Sequence, residues 1–340
     1  MSGGASALPE GLDTGIWFRV EEAGSASGAR RSAERLAVEL GMPERRIADL
    51  SIVVAEAAGN LVKHADQGAL LVRPVRTATQ AGIELIAIDS GPGMPDLRRS
   101  IGDGHSTAGT LGIGLGAIVR QASWSDLHSV PGKGTVLVVQ VWPTAAPDPV
   151  WAAGVIRPLT GEAVCGDAFA VRTVEGRRQV MVCDGLGHGR LAAAAAQEAV
   201  RGFADAPAAT PAAIVEKLHR LLTHTRGAAL AVAEFDAAAG LVRYAGLGNI
   251  SGTLLSPDGG RRGMVSLPGI AGHQRRAVRE YDYPYGEGAV VLMHSDGVVD
   301  RWSPDGYPAL LTHSPQLIAA TVLRDAGTRR DDAGVLVARP

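Results

Sequence analysis

The sequence predicts an α+β protein of two domains, and three observations carry that reading. The chain has 340 residues, about twice the ~150 of an ordinary domain. The segment Trp142-Pro-Thr-Ala-Ala-Pro-Asp-Pro149 places three prolines in eight residues. Proline lacks an amide hydrogen and restricts the residue before it, so this segment reads as a linker. The apolar spacing also changes across it. Helices and strands mix before it, and short strands with two long helices follow it. The expected division is a first domain over 13–142, a linker over 143–152 and a second domain over 153–340.

In the first domain, 15–21 reads as a strand. Residues 25–40 read as a helix stopped by Gly41 and Pro43. A longer helix over 45–65 has apolar residues at helical spacing. Runs 69–75 and 83–88 are strand-like, a helix is expected near 116–122, and 135–141 is a last strand. In the second domain, 180–183 is apolar throughout, which suggests a strand buried on both faces. An alanine-rich helix follows, then a helix over 211–223. Runs at 228–235, 241–245, 252–255, 289–293 and 334–338 are bounded by turn residues. Many strands with two long helices fit a sandwich of sheets covered by helices.

Composition excludes several classes. Hydrophobic residues make up 46% and charged residues 20%, which suits packed cores rather than disorder. Thirty-three basic against 35 acidic residues give a net charge of −2. That balance offers no electrostatic footprint for nucleic acid or an anionic membrane. Residues 1–15 lack the apolar core of a signal peptide. No apolar run approaches the ~20 residues that cross a bilayer. Two cysteines, Cys165 and Cys183, cannot form a disulfide framework. A cytoplasmic location is expected.

Four elements in the first domain suggest a nucleotide pocket. Glu56 and Asn60, four apart on the second helix, share a face, with His64 one turn further. The carboxylate suits proton abstraction from a hydroxyl, and the amide oxygen suits Mg²⁺. Asp89-Ser-Gly-Pro-Gly93 ends an apolar strand, where an aspartate can accept from an exocyclic amine. Gly109-Thr-Leu-Gly-Ile-Gly-Leu-Gly116 exposes backbone amides before a helix, an anion-binding arrangement. Its spacing does not match a P-loop. Gly132-Lys-Gly-Thr135 turns into the last strand. Each alone is better read as an ordinary turn, loop or polar helix face; their fixed order is what points to a ligand.

In the second domain, Asp167, Asp184, Asp296 and the pair Asp331-Asp332 sit at strand ends or turns. Singly, each is more often a turn residue. Gathered, they would repel unless cations neutralised them. An all-oxygen set suits Mg²⁺ or Mn²⁺. Two such ions can hold a hydroxide for in-line attack on a phosphate. Cys165 and Cys183 flank two of these positions and read as small hydrophobes.

The order of motifs over 13–142 resembles the Bergerat-fold (GHKL) ATPases and kinases, and most closely the RsbT group of switch kinases. That resemblance implies a Bergerat-type α/β sandwich binding ATP with Mg²⁺. It implies Glu56 as general base and Asn60 as Mg²⁺ ligand, with Asp89 holding adenine assisted by Thr135. Gly91, Gly93, Gly112, Gly114 and Gly116 would line the nucleotide and its lid. One departure is Ala117, where the family often has proline. From about 150 to 340 the chain resembles the PPM-type serine/threonine phosphatases of the SpoIIE group. Asp184-Gly-Leu-Gly-His-Gly189, Gly246-Leu-Gly-Asn249, Leu267-Pro-Gly269 and His294-Ser-Asp-Gly297 look closest to the RsbX subgroup. That resemblance implies a PPM-type β-sandwich flanked by helices and a pair of Mn²⁺ or Mg²⁺ ions. Asp184 would bridge the ions, aided by the Gly185 carbonyl. Asp167, Asp296 and Asp331 would complete the set, Asp332 being the less certain of its pair. His188 would serve a helix entry rather than act as an acid, and His294 is given no role.

Together these imply a phosphoserine/phosphothreonine phosphatase joined to an ATP-binding kinase-like domain. The implied substrate is a phosphorylated STAS-domain protein in a bacterial partner-switching stress response. A second switch protein or sigma regulator is a further implied partner. Opposing activities in one chain would waste ATP unless one is gated, so nucleotide on the first domain is expected to regulate the second. The alternative is a non-catalytic ATP-binding module that docks a STAS or anti-sigma partner. A sensor histidine kinase fits poorly, because no phospho-accepting helix pair precedes residue 45.

Overall fold

The structure, a computed structural model, describes residues 15–97, 114–275 and 277–340. Its contacts divide into two units, 15–149 and 150–340. Among the described residues no helix is long and apolar enough to cross a membrane.

The N-terminal unit runs β1 (Ile16–Arg19), α1 (Ala23–Glu39), α2 (Glu44–His64), β2 (Ala69–Arg76), β3 (Ala81–Asp89), α3 (Gly114–Gln121), β4 (Trp124–Val130) and β5 (Gly134–Val141). The strands form one antiparallel sheet in the order β1-β2-β3-β5-β4. In α2, Leu50, Val53, Val54, Ala57, Ala58 and Leu61 are buried, the spacing of one helix face. They meet Leu70, Val72, Leu85, Leu137 and Val139 of the sheet in a shared core. Burying each such aliphatic side chain contributes about 1.5–3 kcal/mol. A polar seam crosses the same sheet. The Arg73 guanidinium donates to Glu84 Oε1 at 2.8 Å, and Gln140 Nε2 donates to Glu84 Oε2 at 2.8 Å. Trp142 Nε1 then donates to Gln140 Oε1 at 2.9 Å. A buried carboxylate survives only with partners of this kind.

β4 was not expected from the sequence. It lies at the sheet edge, with only His128 buried, and carries Ser125, Asp126 and Ser129. An edge strand buries too little to need an apolar alternation.

The C-terminal unit is a four-layer sandwich. Its elements are β6 (Ala152–Arg157), β7 (Asp167–Val174), β8 (Arg177–Gly185), α4 (Arg190–Ala204), α5 (Pro211–Leu221), β9 (Ala228–Asp236), β10 (Leu241–Leu247) and β11 (Ser251–Leu255). Then follow β12 (Arg261–Met264), β13 (Ser266–Leu267), β14 (Tyr281–Pro284), β15 (Val290–His294), α6 (Pro315–Ala326) and β16 (Ala333–Ala338). One sheet runs β13-β10-β9-β8-β7 with β14 on β10, and the other runs β12-β11-β15-β16-β6. Their inner faces share a core that includes Phe169, Val182, Phe235, Tyr244, Val291, Met293 and Leu336. On the outer face of the first sheet, Met181 and Cys183 pack with Val200, Phe203 and Ile214 of α4 and α5. α6 lies against β6 and β16. β8 thus feeds both cores, as its unbroken apolarity predicts.

The sequence reading missed β6, β7, α6 and the short strands β12, β13 and β14. Residues 315–323 of α6 are all buried, so no polar stripe marks a helical period. The remaining signals are Ser314 and Pro315. The Ser314 hydroxyl accepts from Leu317 N, and Pro315 stands at the first helical position, an arrangement worth about 1 kcal/mol.

Candidate functional site

In the N-terminal unit, α2 holds Glu56 and Asn60 half-exposed at the margin of its buried face. The start of α3 comes directly against them. A Cβ built at Gly114 would stand 3.1 Å from Glu56 Oε2 and 3.3 Å from Asn60 Oδ1. Glycine at 114 is what lets the first helical turn of α3 approach a carboxylate and an amide oxygen this closely. Gly116 is buried in α3, and Gly112 lies outside the described residues. His64 is exposed, and it is its carbonyl that approaches Gly91, 2.7 Å from the position of a Cβ there.

Asp89 ends β3, and its Oδ1 accepts from Gly91 N at 2.8 Å. Register places Thr135 of β5 opposite Asp89, and Ser129 of β4 opposite Thr135. The Ser129 and Thr135 hydroxyls lie 2.9 Å apart, and Ser129 Oγ accepts from Met94 N at 2.8 Å. Asp89, Thr135 and Ser129 therefore form one row across three strands. Ser129 also fixes the loop that carries Gly93. Gly134 cannot be replaced here: its φ is +83°, and a Cβ would fall 2.0 Å from Asp89 O.

The C-terminal unit gathers its carboxylates at one end of the sandwich. Asp167 and Asp184 are direct partners across β7 and β8. Asp296 follows β15, and Asp331 and Asp332 precede β16. The cluster is graded in depth. Asp167 is 2% exposed, Asp184 is half-buried, and Asp296 and Asp331 are exposed. Burial, then Asp184 beside it, pushes the Asp167 carboxyl well above the usual carboxylate range. Burial, then Asp296 and Asp331, pushes Asp184 up to about 7. Asp296 is raised by burial and by Asp331. Like charges in a desolvated site produce these shifts.

Each carboxylate is tethered separately. Ser295 Oγ donates to Asp167 Oδ2 at 2.6 Å and accepts from Gly334 N at 2.9 Å. Asn249 Nδ2 donates to Asp296 Oδ2 at 2.6 Å. Asp332 N donates to Asp331 Oδ1 at 2.9 Å. Asp332 itself is buried and saturated, since its oxygens accept from Leu159 N at 2.7 Å and Gly166 N at 2.8 Å. It braces the chain leading into β7 and leaves Asp331 facing the cluster. These tethers and mutual repulsion hold the side chains apart. Among the described residues no three His, Cys, Asp or Glu side chains are already closed on one metal position.

The donor chemistry nevertheless fits divalent cations. Asp167 Oδ1 is buried with no hydrogen-bond partner among the described residues, which is costly unless a cation or water completes it. The neighbouring donors are all oxygens, the preference of Mg²⁺ and Mn²⁺. At Gly185 a Cβ would fall 2.2 Å from Ala192 O, so α4 approaches the loop closely only because that residue is glycine.

His188 Nδ1 lies 2.8 Å from Glu162 Oε1 at the head of α4. His294 is buried, with Nδ1 2.9 Å from Ser295 O. Cys165 and Cys183 are free, buried thiols. Sequence reasoning missed Ser129, Ser295 and Asn249. Asn249 ends a quoted motif, and Ser295 directly precedes Asp296, but only the paired strands reveal what each holds.

Comparison with known proteins agrees with this division. Residues 19–141 match the family model of the histidine kinase-like ATPase domain, and residues 175–340 match that of stage II sporulation protein E, SpoIIE. The serine/threonine-protein kinase RsbT of Bacillus subtilis is 35% identical over 114 residues, covering 34% of this chain and 86% of RsbT. The phosphoserine phosphatase RsbX of the same organism is 25% identical over 141 residues, covering 41% of this chain and 69% of RsbX. A chain from a structure of the bacterial stressosome is 34% identical with a TM-score of 0.50, covering 55% of this chain and 98% of that one. The chain therefore belongs to the RsbT-like family of histidine kinase-like ATPase domains through its N-terminal unit, and joins to it an RsbX-like SpoIIE domain of the PPM-type phosphatase fold.

Proposed function

We propose that the C-terminal unit is a metal-dependent phosphoserine/phosphothreonine phosphatase. Its substrate is a phosphorylated STAS-domain regulator of a bacterial partner-switching stress response, and it works in the cytoplasm. The observation that carries this is the orphaned Asp167 Oδ1 at the floor of a carboxylate well. The likeness to RsbX supports the same chemistry. Asp167, Asp184, Asp296 and Asp331 would hold the cations, Asp184 as the ligand they share, with the Gly185 carbonyl assisting. When bound, a pair of Mn²⁺ or Mg²⁺ ions supplies charge neutralisation and an activated water for in-line attack on phosphorus. Ser295 fixes the carboxylate plane of Asp167, and Asn249 does the same for Asp296, as outer partners of metal ligands do.

The N-terminal unit in this reading binds ATP with Mg²⁺ and transfers phosphate to a serine. Asp89 and Thr135 hold adenine. Gly91, Gly93, Gly114 and Gly116 line the nucleotide. Asn60 holds Mg²⁺, and Glu56 accepts the proton of the attacking hydroxyl. A second switch protein or sigma regulator docks on this unit, and nucleotide there sets the phosphatase rate.

Purified protein is expected to release phosphate from a phosphoserine STAS protein with Mn²⁺ and to stop with EDTA. Asp184→Ala is expected to abolish release while ATP binding persists. Phosphatase activity surviving in that variant would contradict the ligand assignment. A rate equal with and without ATP would remove the regulatory part of the reading.

A further inference from the structure

A cation stands over the loop that carries Asp184. Arg226 is exposed, and among the described residues its guanidinium has no hydrogen bond or ion pair. Several other arginines of this unit are engaged, Arg275 with Glu216, Arg243 with Glu234 and Asp236, and Arg324 with Asp325. The Arg226 guanidinium is instead left free over the loop that carries Asp184.

Its placement is rigid. Arg226 lies in the turn between α5 and β9, which Thr225 braces on both sides. Thr225 Oγ1 donates to Leu222 O at 2.7 Å and accepts from Gly227 N at 3.0 Å. The Thr225 carbonyl lies 3.2 Å from His273 Nε2. The turn is also registered on the loop that carries Asp184, because Leu186 N donates to Gly227 O at 3.0 Å. The guanidinium then reaches over Gly187, where a Cβ would stand 3.3 Å from Arg226 Nη1. Gly187 has φ +86°, so the loop bends at this point with no side chain between the arginine and its backbone. On the same loop Leu186 is 47% exposed, and Leu191 just beyond it is 58% exposed. The loop that carries Asp184 thus has a fork of N–H donors over Gly187 and an apolar edge.

We propose that Arg226 is the phosphate-recognition residue of this site, taking two oxygens of the phosphoserine or phosphothreonine group as it enters over Gly187. The proposal rests on the phosphatase reading and deepens it. A phosphate dianion approaching clustered carboxylates is repelled by whatever charge the cations leave uncancelled. A planar guanidinium offsets that repulsion and fixes orientation through paired hydrogen bonds. The contact exists in bound substrate and transition state alike, so its loss falls on KM rather than kcat.

The test uses the full Mn²⁺-loaded chain, a phosphoserine peptide as substrate and inorganic phosphate as product inhibitor. Arg226→Ala is expected to raise KM, and the inhibition constant for inorganic phosphate, by about 10–100-fold, the range of a lost hydrogen bond to a charged group. The kcat and melting temperature stay near wild type. Arg226→Lys keeps the charge without the fork and is expected to fall between. Unchanged KM and phosphate inhibition in Arg226→Ala would overturn the proposal, as would a loss confined to kcat. If the wild-type chain shows no Mn²⁺-dependent turnover, the phosphatase reading falls separately. The melting-temperature rise given by inorganic phosphate then decides this one: lost in Arg226→Ala it stands, equal in both chains it fails.

Discussion

The two candidate sites store their charge in opposite ways. In the N-terminal unit Glu56 and Asn60 come from one helix, one turn apart, and stay half-exposed at the edge of its packed face. Their spacing is set by the helix itself, and water reaches both. In the C-terminal unit, Asp167 and Asp184 meet across two strands, and Asp296 and Asp331 join them from the second sheet. That site brings together residues more than 160 positions apart in sequence. It also buries Asp167 almost fully. A site of the first kind is cheap to hold and asks little of the fold. A site of the second kind stores like-charge repulsion in the native state, and each carboxylate needs its own tether.

The largest test of this contrast is Glu56→Ala. As general base, Glu56 contributes about 10²–10⁴-fold to phosphate transfer. The variant is expected to lose transfer to a STAS serine by that factor while it still binds ATP, melts near wild type and keeps its phosphatase rate. Transfer is followed with radiolabelled ATP, and ATP binding by calorimetry. Transfer at the wild-type rate would place the proton acceptor elsewhere.

The same contrast explains what could be read in the sequence. Glu56 and Asn60 were visible because helical period fixes which residues share a face. Asp184 and Asp296 were visible because each ends an apolar strand and is followed by glycine. Their supports were not. Ser295 matters only because register sets it between Asp167 and the Gly334 amide. The resemblance preferred Asp331 to Asp332, but their own chemistry gave no reason for it, since they are adjacent and identical. Only the two amides that occupy Asp332 distinguish them. At the level of fold, β4 and α6 failed in opposite directions. The edge strand is too polar to alternate, and the central helix is too apolar to show a stripe. In both cases the pattern that identifies an element requires one wet face and one dry one.

Ser295→Ala probes the tethering directly and should have a smaller effect than loss of a ligand. It frees Asp167 to rotate and leaves the Gly334 amide without its hydroxyl partner. Outer partners of metal ligands typically contribute about 10–100-fold in affinity. Manganese titration by calorimetry is expected to show a loss in that range, with kcat at saturating metal much less affected. Ser129→Ala in the other unit is the control and should leave manganese affinity unchanged. A metal affinity equal to wild type in Ser295→Ala would mean that Asp167 needs no fixed plane.

The smallest and most diagnostic effect is on stability against pH, where the two sites should part company. Asp184 titrates near 7 in the folded, metal-free chain and near 3.9 when unfolded. The folded state therefore binds more protons than the unfolded state between those values. By linkage, stability falls as pH rises through that window. The contribution is fully present below about pH 4 and lost above about 7, and Asp167, also raised, adds in the same direction. The metal-stripped protein is expected to melt progressively lower from pH 5 to pH 8. Manganese should reverse the fall, and by more at pH 8, because cations bind the deprotonated carboxylates. Asp184→Asn removes the titrating group while keeping its shape, so its metal-free melting temperature should decline less steeply over the same range. A slope in Asp184→Asn equal to that of the wild type would mean that the repulsion stored in the well does not govern the stability of the unit.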